Sequence, residues 1–103
     1  MIQIPITNIV NQSLTILLDE NNYNIRLHTS QNITSVDITR NNIVIVEGIR
    51  AVCGTPLIPY TYLEDGNFIF VTQNDQYPIY ELFGITQFLI YASQSEIEAI
   101  NNG

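Results

Sequence analysis

Ten carboxylates, one histidine and one cysteine are the side chains of this chain that could do acid–base, nucleophilic or metal chemistry. The carboxylates are Asp19, Glu20, Asp37, Glu47, Glu64, Asp65, Asp75, Glu81, Glu96 and Glu98. A glycosidase sets two carboxyls about 5–10 Å apart across a sugar cleft. Glu64 or Asp65 with Asp75 or Glu81 is the pairing available, and a cell-wall hydrolase would use Glu64 and Glu81. Most of these residues instead fall in turns or near the C-terminus, where they stay hydrated. His28 alternates with Asn24 and Arg26 on a polar face and reads as a surface residue. One histidine cannot build a zinc site without carboxylate help, and no HExxH spacing exists. No Gly-x-Ser-x-Gly elbow and no glycine-rich phosphate loop occurs. Cys53 reads as a small apolar filler, with Arg50 the nearest cation in sequence. No enzyme activity, cofactor or metal is expected.

The elements that would position any site are mostly strands. The 103 residues, 46% hydrophobic, fit one domain, residues 1–103, that buries roughly 65% of its unfolded surface without staples. Residues 2–6 (IQIPI) read as an edge strand, because Pro5 removes a ladder donor. Residues 13–19 and 23–29 alternate as a hairpin, with Tyr23, Ile25, Leu27 and Thr29 inward. A third strand covers 33–39, with Thr34, Val36 and Ile38 inward. The turns are placed at Glu20–Asn22, Ser30–Asn32 and Arg40–Asn42, since Asn tolerates positive φ. Residues 43–52 (IVIVEGIRAV) are almost continuously apolar, so they read as the central strand, buried on both faces or packed into an interface, with a bulge at Gly48. Strands follow at 67–72 and 86–92. Ser93 and Glu96 form a capping box for a short helix. The expected fold is mainly β: a compact antiparallel sheet, barrel-like or sandwich, of about six to seven strands with a short C-terminal helix.

Charge bounds the partners. The net charge is −7 and the chain has no lysine, only Arg26, Arg40 and Arg50. Three scattered arginines cannot supply the counterion release that drives nucleic-acid binding, and anionic membranes are disfavoured for the same reason. No apolar run approaches a membrane span. Met1–Gln3 carries no positive n-region, so no export signal is expected.

Two apolar, proline-stiffened stretches stand out: Gly54–Tyr60 (GTPLIPY) and Tyr77–Gly84 (YPIYELFG). An apolar loop held stiff by proline is either tucked onto the core or offered to a partner. Leu57, Ile58, Tyr60, Tyr62, Tyr77, Tyr80 and Phe83 are the candidate interface residues.

Gly48-Ile49-Arg50, then Gly54-Thr55-Pro56-Leu57-Ile58-Pro59-Tyr60, then Tyr62 to Phe68 follow a pattern that resembles the baseplate plug proteins of contractile-tailed bacteriophages. Tyr77-Pro78, Phe83-Gly84 and Leu89-Ile90-Tyr91 continue it, and Ile4-Pro5-Ile6 with Asn11-Gln12-Ser13 begin it. It spans residues 2–92; Cys53 has no place in it. The resemblance implies a β-rich structural subunit of the virion at the tail tip, made in the host cytoplasm. It would pack against the tail hub, spike or tube in a symmetric multi-subunit assembly and help close the tube. It implies no catalytic residues. A lysine-free acidic surface suits a tube that passes DNA. The alternative is a small carbohydrate-binding β module with exposed tyrosines as stacking platforms.

Overall fold

A computed structural model describes residues 1–58 and 66–102. It contains seven strands in two antiparallel sheets and one short helix. The strands are β1 (Ile2–Ile4), β2 (Asn11–Leu18), β3 (Asn21–Ser30), β4 (Ile33–Arg40), β5 (Ile43–Arg50), β6 (Asn67–Val71) and β7 (Phe88–Ala92), and the helix is α1 (Gln94–Asn102). One sheet has the order β2-β3-β4-β5 and the other β1-β7-β6. The mainly-β expectation with a terminal helix holds; the two sheets do not close into a barrel.

The four-stranded sheet is a meander made by two-residue turns. Leu18 pairs with Asn21, Ser30 with Ile33 and Arg40 with Ile43. Both central residues of each turn have positive φ: Asp19 and Glu20, Gln31 and Asn32, Asn41 and Asn42. Such turns match the right-handed twist of the strands they join. The first turn therefore lies earlier than the Asn-Asn dipeptide suggested, and Asn21 and Asn22 belong to β3. Alternation then follows as expected, with Tyr23, Ile25, Leu27, Thr34, Val36 and Ile38 all buried.

β1 stops before Pro5, and β7 begins at Phe88 because the amides of Ile85, Thr86 and Gln87 are all drawn to the Leu82 carbonyl. β5 is a correction of another kind. It is not central but the edge of its sheet, and its apolar run is not buried on both faces. Val46 is buried while Ile43 and Val44 are 65% and 59% exposed. Two bulges interrupt it. Ile45 is the extra residue between pairs Val44–Thr39 and Val46–Ile38, and Glu47 with Gly48 together oppose Asp37. Gly48 takes φ +68°, and its amide is met by the Asp37 carboxylate at 2.6 Å.

The core lies between the sheets. Tyr23 packs edge-on against Phe68 with centroids 5.1 Å apart, and Tyr91 lies within 5.8 Å of both. Each such pair adds about 1 kcal/mol beyond simple burial. The Tyr91 hydroxyl also donates to the Asp19 carboxylate at 2.7 Å, joining β7 to the first turn of the opposite sheet. Ser93 caps α1 as expected: its hydroxyl accepts from the Glu96 amide and its own amide donates to Glu96 Oε1 at 3.0 Å.

Candidate docking surface

The two proline-stiffened stretches are built differently from one another. After β5 the chain runs along the free edge of β6. Gly54 N–H donates to the Phe70 carbonyl at 3.0 Å and Leu57 N–H to the Phe68 carbonyl at 2.9 Å. The side chain of Asn67 completes this seam, accepting from Ile58 N–H at 2.9 Å and donating to Ile58 C=O at 2.8 Å. Leu57 and Ile58 consequently turn into the core, 1% and 3% exposed. They line the sandwich instead of facing outward. Tyr60 and Tyr62 lie outside the described residues, as do Glu64 and Asp65.

The second stretch is held by another buried amide. Gln87 accepts from Ile79 N–H at 2.8 Å and donates to the Tyr77 carbonyl at 3.1 Å. Thr34 Oγ1 donates to the Pro78 carbonyl at 3.2 Å. Phe83 is buried and stacks on Phe70 at 5.7 Å, so it too is a core residue. Tyr80, in a short 3-10 turn, is half-buried against the core. Tyr77 remains 58% exposed, with the Arg50 guanidinium 4.5 Å from its ring centroid.

Of the seven candidate interface residues, then, Leu57, Ile58 and Phe83 are buried, Tyr77 is open and Tyr80 is half-open. Burial was the half of the "core or partner" choice that the sequence could not decide, because it depends on Asn67 and Gln87 meeting loops distant in the chain.

Tyr77 has company at its end of the sandwich. The Thr34–Pro78 bond brings β4's first residues beside it, and a Cβ at Gly84 would come within 3.0 Å of the Ile6 carbonyl, so the segment after β1 lies there too. Ile9, Val10, Ile33 and Ile85 are each 40–59% exposed at this end. Sequence reasoning missed them; the adjacent Ile9-Val10 pair between two asparagines was the signal. Scattered exposed aliphatics need no explanation, but several gathered at one end of a small domain mark a contact surface.

Chemistry is sparse around it. On the outer face of the four-stranded sheet, Asn11, Ser13, Arg26, His28 and Asp37 line a shallow polar depression. His28 Nε2 sits 3.6 Å from Asp37, a solvent-exposed contact that contributes little. Among the described residues no cluster of His, Cys, Asp and Glu could hold a metal ion. No described helix is long and apolar enough to cross a membrane.

A two-sheet antiparallel domain with an apolar end belongs to the class of small β-structured binding or structural subunits. Residues 1–94 match the family described as cyanophage baseplate Pam3 plug gp18, and the chain belongs to that family. It is thus a phage baseplate plug protein, a structural component of the virion tail that associates with other tail proteins. No curated protein matches the chain.

Proposed function

We propose that this chain is a non-enzymatic plug subunit at the tail tip. It packs its Tyr77 end against the tail hub or spike and helps close the tail tube. The observation that carries the docking assignment is the gathering of Tyr77, Ile85, Ile33, Ile9 and Val10, all exposed, at one end of the sandwich. Burying such a patch on assembly is favourable by about 25 cal/mol per Å² of apolar surface. Synthesis in the host cytoplasm and a place in a symmetric assembly fit this role. The carbohydrate-binding alternative needs open tyrosine faces. Among the described residues Tyr77 is the most open tyrosine, 58% exposed, and Arg50 already lies over its ring.

Co-expression with tail hub and spike proteins of the same phage, followed by affinity capture, tests the proposal. Tyr77→Asp with Ile85→Asp should abolish capture and leave the circular dichroism and melting of the domain unchanged. Leu57→Asp should unfold the domain, since that side chain is buried. If the wild-type chain captured no tail protein, or if the double variant still did, the docking assignment would be wrong.

A further inference from the structure

Two of the three arginines stand on the outer face of the four-stranded sheet, toward the Tyr77 end. β3 turns Tyr23, Ile25 and Leu27 inward, so Arg26 and His28 belong to the outer face. His28 pairs with Ser35 and Ser35 with Arg50, which sets Arg50 on that face at the level of His28. Arg26 lies two residues further along β3, opposite Asp37. Both arginines are exposed, whereas Arg40 is half-buried at the other end of β4. Ile33, two residues before Ser35 in β4, carries the same face on to the apolar end.

Neither exposed arginine is neutralised within the chain, although the sequence holds ten carboxylates. Asp37 is the cross-strand neighbour of Arg26, but the bulge in β5 engages it elsewhere. Its Oδ1 accepts from Gly48 N–H at 2.6 Å, and its Oδ2 lies 3.6 Å from His28 Nε2. Glu47 sits in the same bulge and closes no ion pair with either arginine. Asp19 and Glu20 occupy the turn at the far end of the sheet. Among the described residues, then, the Arg26 side chain makes no hydrogen bond or ion pair, and the Arg50 guanidinium makes its stack on Tyr77 at 4.5 Å and no ion pair.

We propose that Arg26 and Arg50 each receive a carboxylate from an acidic face of the tail protein that covers the Tyr77 end. The inference rests on that docking assignment and adds the charge of the partner surface. A guanidinium meets a carboxylate through two parallel N–H donors, and these lie at its edge. Stacking on the Tyr77 ring occupies the flat of the Arg50 guanidinium and leaves that edge open. The two arginines are two strands and two residues apart, about 12 Å between Cα atoms from sheet spacings, so each takes its own carboxylate. Protein interfaces favour arginine over lysine and set polar groups around an apolar centre. Ile33 and Tyr77 supply that centre here, with Arg50 and Arg26 at its rim.

Charge complementarity and continuity with the apolar end select this occupant. A nucleic acid or an anionic bilayer would find two open cations on a chain of net charge −7, too few to drive counterion release. A second copy carries the same −7 and approaches against repulsion.

The absence of lysine supplies the test. Arg26→Lys and Arg50→Lys each add one side-chain amine, and a carbodiimide couples an amine only to a carboxylate in contact with it. In complexes co-expressed with tail hub and spike proteins of the same phage, both variants should cross-link to a tail protein. Asn22→Lys, on the same face at the far end, should not. Arg26→Glu with Arg50→Glu should lose capture at low salt and keep the circular dichroism and melting of the domain. Capture that survives this double variant, or lysine variants that cross-link to no tail protein within a captured complex, would overturn the inference and leave the docking assignment standing. Cross-links between copies of the chain would also overturn it and give the face to a second copy. A wild type that captures nothing would sink the docking assignment and this inference with it.

Discussion

The side-chain amide of Asn67 makes both hydrogen bonds of a backbone pair with Ile58, accepting at 2.9 Å and donating at 2.8 Å. Its oxygen accepts a third from Phe68 N–H at 2.8 Å. One buried side chain thus stands in for a strand residue and sews an irregular, proline-containing segment onto β6. The segment's backbone groups would otherwise be buried unpaired, each costing about 1–3 kcal/mol.

Asn67→Ala removes all three bonds at a position that is 9% exposed. It should lower stability by about 3 kcal/mol in urea unfolding and speed hydrogen exchange at the Ile58 amide more than at Ile25 or Val36. An exchange pattern unchanged at Ile58 would mean the amide is held by something else.

Tyr91 gives the stability an alkaline limit. Burial comes first, then the hydrogen bond to Asp19 and the neighbouring Tyr23, in pushing its phenol well above the ordinary value of 10.0. The folded state keeps the proton after the unfolded chain has released it. The contribution is therefore complete below pH 10 and declines as pH rises above it. Denaturant midpoints should fall through this range, and the fall should be shallower in Tyr91→Phe.

Glu96 sets the acidic counterpart at the helix start. The Met1 ammonium is the largest cause, followed by the amide and hydroxyl of Ser93, in bringing its carboxyl from 4.5 down to about 2. A lowered folded value means the contribution is full above pH 4.5 and disappears as pH falls toward 2. Following the Glu96 side-chain resonance with pH should find its midpoint below that of a free glutamate. Ser93→Ala should loosen α1 by about 1 kcal/mol, read as faster exchange at its first amides.

The first hairpin carries a removable strain. Glu20 holds φ +68° at the second position of its turn, where glycine is the favoured residue. Relief of the left-handed penalty, about 1–2 kcal/mol, exceeds the added chain entropy of glycine, about 0.5–1 kcal/mol. Glu20→Gly should raise stability by a few tenths to about 1 kcal/mol, read as a higher melting temperature. A lower melting temperature would show that the Glu20 side chain contributes to the fold.

What the sequence determined by itself was local. Period-two alternation at Tyr23–Thr29 and Ile33–Ile38 set which faces are buried, since a one-residue slip would invert every side chain. Ser93 and Glu96 set the helix start, because a capping box is complete within four residues. The charge balance and the missing catalytic spacings bounded the function, and the order of motifs from Ile4 to Tyr91 pointed to the plug family. What only the tertiary structure decided was how an apolar segment is used. Ile43–Val52 and Gly54–Ile58 are both apolar, and composition alone makes either one core or surface. Asn67 and Gln87, far from the loops they hold, draw Leu57, Ile58 and Phe83 inward. The sheet ends at β5 and leaves Ile43 and Val44 in water. Burial of an apolar residue depends on which distant elements cover it, and that is a property of the assembled sheets.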